Sequence, residues 1–286
     1  MICLKDIILQ SGPIEAYVNA FGAEIKGLSL NGIEYLYEGD VDYYGRTSPT
    51  LFPIVGRFLT DTYFDRDKAY HLTPSGFAQI RNFTLEEQTP EEATFLLCSD
   101  ERTLVLYPYS FELRVHYQVT EKGLRIEYRV KNTGNRVMPF CLGCHTAYRW
   151  PLFPEEEPED YELRFEEIED LESFNPFNWK DPHFIYGQSK TLSHDLFENY
   201  TRGMTGIRSA WVEFGHKNRC HGIRIHREEM PYLAMWTLPE KEARFVCLEP
   251  CTSVHAGAAT TLQDRLGCLT ISPGEESQRA FSIELF

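Results

Sequence analysis

The sequence predicts an all-β protein, an antiparallel sandwich or barrel, and three observations support this prediction. Hydrophobic residues recur with a period of two along much of the chain, as in strands with one buried face. Turn residues separate these alternating segments, and long helical patterns are lacking. Aromatic residues make up 14% of the chain, and their flat rings pack well on a pleated sheet. Because such folds often exceed roughly 200 residues as one unit, we expect a single domain over residues 1–286.

The clearest alternation spans residues 111–130. Apolar residues occupy every second position from Phe111 to Val119 and again from Leu124 to Val130, on either side of a short turn. This pattern predicts a β-hairpin with one buried and one solvated face. The dipeptide Asn31-Gly32 predicts a second hairpin, because these residues suit a two-residue turn.

A third hairpin is predicted at the C-terminus. There the apolar positions Leu269 and Ile271 precede the turn sequence S-P-G-E, and alternation resumes up to Leu285. The best helical signal is weak: Ser193 is a possible cap for about two turns over residues 193–200. In the acidic stretch 155–172, alternating apolar residues from Tyr161 to Phe165 indicate a loop followed by a strand with an acidic outer face.

Charge and composition exclude several classes of function. The net charge of −15 argues against nucleic acid binding, which needs a basic surface. The chain has no apolar run near the ~20 residues of a membrane helix and no pattern of a secretory signal. We therefore expect a cytoplasmic protein, with no membrane partner, whose eight cysteines are reduced thiols.

Two segments carry candidate binding residues. In S-P-T-L-F-P-I-V-G-R (residues 48–57), Arg57 presents a planar fork suited to sugar hydroxyls or a carboxylate, although for this residue taken alone a surface ion pair is the simpler explanation. In T-P-S-G-F-A-Q (residues 73–79), Gly76 permits a close approach of backbone to ligand, and an ordinary turn is the alternative.

The segment F-C-L-G-C-H contains the C-x-x-C-H spacing of covalent haem attachment, which belongs outside the cytoplasm. With Cys247 and Cys251, the thiols of Cys141 and Cys144 make a nominal four-cysteine zinc set. Because Cys141 and Cys144 have opposite parity in a strand, they face opposite sides of a sheet. We expect neither haem nor zinc.

Parity gives a more useful result for His145 and Glu249. His145 shares a face with Cys141, and Glu249, an acid within an apolar strand, shares a face with Cys247. If both residues point into one concave sheet, the site holds an imidazole and a carboxylate without bulky neighbours. Such a pair suits mutarotation, in which a base deprotonates the anomeric hydroxyl while an acid protonates the ring oxygen. We expect the two groups several ångströms apart across a pocket, without a direct salt bridge, and with Glu249 ionised beside a hydrogen-bond donor.

These segments, in this order, resemble the aldose 1-epimerase (galactose mutarotase-like) superfamily. The closest branch pairs an S-P-x-L-F-P-I-V-G-R segment with H-G-F-A-R, G-x-H-P-x-F and E-P segments. The resemblance runs from the F-G-A-E sequence at residues 21–24 to the P-G-E turn at 273–275. It implies a large antiparallel β-supersandwich, a general acid at His145, a general base at Glu249 and a substrate-binding Arg57. It implies a small-molecule sugar as ligand and no metal or organic cofactor, in a monomer or homodimer.

The chain departs from the family pattern at three places. Ser75 replaces the sugar-holding histidine of H-G-F-A-R, Gln79 replaces its arginine, and Asn199 and Tyr200 stand where an acidic residue is common. We expect Ser75 and Gln79 to lie at the sugar site, where they replace the histidine and arginine of the family.

Three functions are compatible with these residues: a mutarotase of a free aldose, a non-catalytic sugar-binding or sensing protein, and an epimerase of a phosphorylated sugar. The last would need a local cationic patch, for which the candidates are Arg46, Arg57 and Arg81.

Overall fold

A computed structural model describes residues 6–174, 183–197, 201–238, 243–254 and 259–286. Within these ranges the chain is built almost entirely of antiparallel strands, which confirms the predicted all-β class. The strands are β1 Ile7–Ser11, β2 Ile14–Asn19, β3 Glu24–Leu30, β4 Ile33–Glu34, β5 Thr50–Leu51, β6 Thr62–Asp65, β7 Lys68–His71, β8 Thr84–Gln88, β9 Glu92–Cys98, β10 Phe111–Thr120, β11 Gly123–Asn132, β12 Met138–Phe140, β13 Gly143–Cys144, β14 Thr146–Arg149, β15 Tyr161–Phe174, β16 His183–Thr191, β17 Arg202–Met204, β18 Trp211–His216, β19 Gly222–His226, β20 Tyr232–Trp236, β21 Phe245–Cys251, β22 Leu269–Ile271 and β23 Glu276–Leu285.

One large sheet organises the described part of the fold. Its fifteen strands follow the order β5-β13-β21-β20-β17-β15-β18-β19-β23-β11-β10-β9-β8, with β14 also on β21 and β16 also on β15. A four-stranded sheet, β1-β2-β3-β4, packs against it through β10, so the two sheets enclose the main core. Stacked sheets with apolar inner faces are the layered arrangement expected of a sandwich.

The central hairpin has the predicted form. Strands β10 and β11 pair from Phe111 opposite Asn132 to Thr120 opposite Gly123. Along β10, every second side chain from Phe111 to Val119 is buried, whereas the positions between are partly exposed. A period of two thus produces one core face and one solvent face, as the sequence predicts.

The second predicted hairpin is also confirmed. Leu30 pairs with Ile33, which leaves Asn31 and Gly32 as a two-residue turn. Both turn residues have positive φ values, 52° and 79°, as a type I′ turn requires. Asparagine and glycine tolerate this backbone region better than other residues do.

The predicted C-terminal hairpin is wrong. Strand β22 pairs with β12, whereas β23 pairs with β11 and β19. The turn between them does form, with the Glu275 amide donating to the Ser272 carbonyl at 3.0 Å. This turn carries the chain from the two-stranded β12–β22 sheet to the large sheet. The amide of Gly274 donates to the Asn132 carbonyl at the end of β11 (2.9 Å), which fixes the turn beside the strand that β23 joins.

Helical segments are few and short in the described residues. The predicted helix over residues 193–200 is a single 3₁₀ turn, His194–Phe197, and residues 198–200 lie outside the described ranges. One α-helix, α1 at Glu101–Leu106, was missed by the sequence analysis. It begins at a capping box, in which the Asp100 carboxylate accepts from the Thr103 amide at 2.7 Å.

Burial accounts for the acidic segment and the thiols. In β15 the side chains of Tyr161, Leu163 and Phe165 are buried, as predicted, and the acidic side chain of Glu162 between them pairs with Arg164. The seven cysteines in the described ranges are free thiols. Across these ranges we find no helix long and apolar enough to span a membrane.

Candidate active site

The register of the large sheet brings His145 and Glu249 together. His145 lies between β13 and β14, and Glu249 lies in the neighbouring strand β21. The pairs on either side of them share one antiparallel register, which therefore sets His145 directly opposite Glu249. Directly opposed residues have Cβ atoms about 5 Å apart on the same face of the sheet. The flanking pairs are Gly143–Cys251 and Thr146–Leu248.

The two faces of these strands have different surroundings, as parity predicts. Cys144 and Leu248, on one face, pack into the main core. The opposite face carries the histidine and the glutamate between two small apolar clusters. One cluster contains Leu51, Val55, Cys141, Cys251 and Val254, and the other contains Tyr37, Ala147, Ala243, Phe245 and Cys247.

His145 and Glu249 are in direct contact, which corrects the prediction that they stand apart across a pocket. The Nε2 atom of His145 lies 3.2 Å from Oε1 of Glu249, and their side chains are 15% and 6% exposed. The directions are nevertheless unsuitable for a hydrogen bond, so Glu249 Oε1 has no hydrogen-bond partner among the described residues. The physical reason for the contact is the register, since directly opposed side chains lie side by side.

Burial sets the protonation of the pair. It lowers the pKa of the His145 imidazole to about 4 and raises the pKa of the Glu249 carboxyl to about 8. Near neutral pH both groups are uncharged in the free protein, and the pair holds one exchangeable proton on the carboxyl. The expectation that Glu249 is ionised beside a hydrogen-bond donor is therefore wrong for the free protein.

The pair lines a cleft of about 150 Å³. Trp236 forms part of its wall, with its ring 5.5 Å from the His145 ring and tilted by 67°. Tyr44 lies behind His145, and its Oη is 2.8 Å from Nδ1. The expectation of a site without bulky neighbours is thus wrong, and sequence reasoning missed both aromatic residues. The indole offers a flat apolar face of the kind on which a sugar ring stacks.

Arg57 lies at the cleft, where the sequence predicts it. In the free protein its guanidinium forms a two-point contact with Asp61, through Nε to Oδ1 at 3.1 Å and Nη2 to Oδ2 at 2.8 Å. Both side chains are more than a third exposed. Such ion pairs are typically worth at most about 1 kcal/mol, so the pair leaves Arg57 free to turn toward a ligand.

Ser75 lines the same cleft at the tip of a tight loop. Its amide donates to the Gly56 carbonyl at 2.7 Å, and its φ of 62° lies in the left-handed region. The next residue, Gly76, also has a positive φ (73°), and a Cβ there would lie 2.2 Å from the Phe52 carbonyl oxygen. Glycine is thus required at position 76 by close backbone packing, which holds Ser75 beside Arg57.

Gln79 does not line the cleft, so its predicted place in the sugar-binding set is corrected. Its Nε2 instead donates to the Pro74 carbonyl at 3.0 Å, across the base of the loop that carries Ser75. The family position of Asn199 and Tyr200 lies outside the described residues.

The proposed cationic patch is also not assembled at the cleft. Arg46 donates to the Gln79 carbonyl at 3.0 Å and lies 3.6 Å from the buried carboxylate of Glu24. Arg81 lies over the Phe77 ring, 6.0 Å from its centroid. Of the three arginines only Arg57 lines the cleft, which weakens the case for a phosphorylated substrate.

The cysteines of the C-x-x-C-H segment face opposite sides, as parity predicts. Cys144 lies 3.1 Å from the Ser48 hydroxyl in the core, whereas Cys141 packs with Cys251 on the cleft side. The four thiols that make the nominal zinc set are therefore divided between the two faces of the sheet. In the described residues, no group of three or more His, Cys, Asp and Glu side chains is placed to hold a metal.

Comparisons with known proteins point in one direction. The family model described as aldose 1-epimerase matches residues 5–284. The chromosomally encoded LacX protein of Lactococcus lactis subsp. lactis is 30% identical over 273 residues, which cover 89% of this chain and 90% of that protein.

Two solved structures share the fold closely, each with a TM-score of 0.92. A galactose mutarotase related enzyme from Lactobacillus acidophilus is 26% identical, and the match covers 99% of this chain and 97% of that chain. A galactose mutarotase-like protein from Lactobacillus casei ATCC 334 is 29% identical, with coverage of 99% and 100%. These likenesses confirm the predicted galactose mutarotase-like architecture.

Proposed function

The chain belongs to the aldose 1-epimerase family, and on that premise we propose that it interconverts the α and β anomers of a free aldose. The observation that carries the proposal is the contact between His145 Nε2 and Glu249 Oε1 in a cleft walled by Trp236. An acid and a base held side by side suit this reaction, because the two oxygens they serve are bonded to the same carbon. The anomeric hydroxyl and the ring oxygen of a sugar are neighbours, so their proton donor and acceptor are neighbours too.

The single exchangeable proton of the pair is sufficient for the cycle. In the reactive form that proton has moved from Glu249 to His145, which leaves a carboxylate and an imidazolium. The carboxylate takes the proton of the anomeric hydroxyl while Nε2–H protonates the ring oxygen, and the bond between C1 and the ring oxygen breaks. Rotation about C1–C2 exposes the other face of the carbonyl. Reclosure returns one proton to His145 and delivers the other from Glu249 to the carbonyl oxygen.

The remaining cleft residues support binding of a neutral sugar. Trp236 presents an apolar face to the ring, and Ser75 and Arg57 present polar groups at the rim. Site residues of this kind, few polar groups on a largely apolar wall, are typical of small-molecule sites. Sugar hydroxyls that donate to Glu249 would stabilise its ionised form, which burial disfavours.

The test is an anomer-exchange measurement by NMR over a panel of free hexoses and pentoses. The wild-type protein is expected to accelerate exchange above the solvent rate. Glu249→Gln keeps the shape and removes the basicity, so exchange should fall by at least ~10²-fold while sugar binding survives. The matched control is Glu156→Gln, which alters a second histidine–glutamate pair that does not line the cleft and should leave exchange within about twofold.

A sugar-binding protein without catalysis is the second candidate, and the replacement of the family histidine by Ser75 favours it. In that case wild type and Glu249→Gln would both bind sugars and both leave exchange at the solvent rate. This result would refute the catalytic proposal.

A further inference from the structure

The far side of the His145 ring is held by Tyr44, a residue that the sequence analysis did not single out. Its Oη lies 2.8 Å from Nδ1, the nitrogen that points away from Glu249. We propose that Tyr44 is a positioning residue that accepts the Nδ1–H hydrogen bond and thereby keeps the exchangeable proton site at Nε2. This inference rests on the proposed acid–base function of His145, and it adds a residue to which that function assigns no role.

The surrounding structure fixes the Tyr44 hydroxyl in this place. The Asp40 carbonyl accepts hydrogen bonds from the amides of Tyr43, Tyr44 and Gly45 at 3.1, 3.0 and 2.9 Å, which closes the loop tightly. The Tyr44 ring stacks on the His145 ring at a centroid distance of 5.1 Å and an angle of 29°.

Two further rings complete the packing of Tyr44. Trp236 meets it edge-on at 5.0 Å, and Phe245 stacks at 5.8 Å. A side chain held on several sides loses little entropy when it forms its hydrogen bond, so the hydroxyl is already directed at Nδ1.

The chemistry decides the direction of the hydrogen bond. If Tyr44 donated to Nδ1, the neutral ring would carry its proton on Nε2, and loss of that proton would leave an imidazolate, which is inaccessible near neutral pH. If Nδ1–H donates to Tyr44, Nε2 passes between bare and protonated states without ever forming an anion. The second arrangement also leaves the bare Nε2 of His145 on the side of Glu249, whose Oε1 lies 3.2 Å away.

A phenol orients the imidazole without placing a charge beside it, whereas a carboxylate would add a negative charge. Burial raises the pKa of Tyr44 well above its ordinary value, so the hydroxyl stays uncharged throughout the working range. A carboxylate in the same place would stabilise the imidazolium and raise the histidine pKa. Tyr44 orients the ring without that charge, in keeping with the low pKa of His145.

The experiment combines Tyr44→Phe with ¹⁵N NMR of histidine-labelled protein, in which the His145 signals are assigned by their loss in His145→Gln. In wild type we expect the signature of the Nδ1–H tautomer, with Nε2 unprotonated. Tyr44→Phe keeps the stacked ring and removes the acceptor, so the Nε2–H tautomer should gain population. Exchange should fall about tenfold through kcat, with little change in KM.

Two variants serve as controls. Tyr37→Phe removes a hydroxyl from the same aromatic group, where the Tyr37 ring stacks on Phe245 at 4.6 Å without reaching His145, and should change neither tautomer nor rate. Tyr44→Gln supplies an amide oxygen as a replacement acceptor and should restore part of the Nδ1–H population.

An unchanged tautomer in Tyr44→Phe would overturn the inference, whether or not the rate falls. A protein that never accelerates exchange would refute the proposed function instead, and the tautomer comparison would still decide the role of Tyr44.

Discussion

Two histidine–glutamate pairs in this protein share one distance and differ in almost everything else. In His145–Glu249 and in His221–Glu156, the histidine Nε2 lies 3.2 Å from a carboxylate oxygen. The second pair is saturated with partners: Tyr161 donates to Glu156 and meets His221 Nε2 at 3.0 Å. The other ring nitrogen of that histidine faces a thiol, with Cys220 Sγ at 2.9 Å.

The pair at the cleft is incomplete by comparison. Glu249 Oε1 has no hydrogen-bond partner among the described residues, and the pair opens on a cavity rather than on packed side chains. Burial lowers the pKa of both histidines. At His221 the nearby charge of Glu156 opposes this effect. At the cleft, burial instead raises the pKa of the partner carboxyl, Glu249. A buried polar group without a hydrogen-bond partner in the protein is costly, and Glu249 carries this cost where it lines the cleft in which the proposed sugar would bind.

The largest expected difference concerns the two histidines. His145→Gln removes the group that protonates the ring oxygen, and anomer exchange should fall by ~10²–10⁴-fold. His221→Gln should leave exchange within about twofold and lower the free energy of unfolding by about 1–3 kcal/mol, because it breaks the hydrogen bonds with Tyr161 and Cys220. NMR exchange rates and urea unfolding of both variants measure this. Equal losses of activity would remove the distinction between the pairs.

The second prediction is a bell-shaped pH dependence of kcat/KM that belongs to the cleft pair alone. The pair works while it holds one exchangeable proton, so activity should fall below about pH 4, where His145 gains a second proton, and above about pH 8, where Glu249 loses the only one. Tyr44 and Cys247 face the same pair, and burial raises both of their pKa values well above the ordinary range, so neither contributes a limb. Exchange rates measured from about pH 3 to about pH 9.5, which is roughly one unit or more beyond each limb, test this. A profile that is flat across pH 8 would contradict the role of Glu249.

The predictable part of the fold depended on local signals. Alternation over residues 111–130 and the Asn31-Gly32 dipeptide specify their hairpins without help from the rest of the chain. The prediction of a C-terminal hairpin was wrong because β22 and β23 pair with strands that are distant in the sequence, and local residues do not specify such pairing. Helix α1 was missed although Asp100 and Thr103 form its capping box, a signal readable from the sequence.

For the site too, local signals predicted which residues share a face of the sheet but not which residues touch. Parity placed His145 and Glu249 on one face, but only strand pairing makes them direct neighbours, and pairing is not encoded locally. Tyr44 sits in a loop about a hundred residues before His145, without periodicity or motif to mark it. Trp236, within an apolar strand, has the sequence pattern of a core residue. Gln79 was placed at the sugar site by resemblance, whereas its own loop geometry directs the amide to Pro74.

A third prediction compares the stability of the two pairs. The folded-state pKa of Glu249, about 8, lies above its ordinary value of 4.5, so folding favours the protonated form. Below pH 4.5 this has no effect on stability; between 4.5 and 8 the unfolded chain ionises and the folded protein does not, so stability falls as pH rises and stays low above 8.

Glu249→Gln removes this penalty and should raise the free energy of unfolding by roughly 3–5 kcal/mol at alkaline pH, with little change in acid. Glu156→Gln should instead destabilise the protein, since its carboxylate accepts from Tyr161. Urea unfolding of both variants in acid and in alkali measures the two signs. A gain for Glu249→Gln that is the same at both pH values would exclude ionisation as its cause.

The smallest expected effect is at Ser75, and it tests whether the cleft pair lacks a sugar-holding neighbour. Ser75 lines the cleft with a φ of 62°, a region that histidine and asparagine tolerate better than most residues. Ser75→His restores the imidazole found at this position in the family pattern, and it should raise kcat/KM for a common hexose by about threefold to tenfold, the effect of one added hydrogen bond. Ser75→Asn, which suits the same backbone region with a shorter, uncharged side chain, is the control and should give less than half of that gain on a logarithmic scale.

Because the imidazole would contact the sugar rather than Glu249, the acid and alkaline limbs of the pH profile should stay where they are in the wild type. A gain accompanied by a shift of the alkaline limb would mean that the new imidazole forms a hydrogen bond with Glu249 itself, as the Tyr161 hydroxyl does with Glu156. In that case the missing hydrogen bond, rather than a missing contact to the sugar, would distinguish the cleft pair from the other pair.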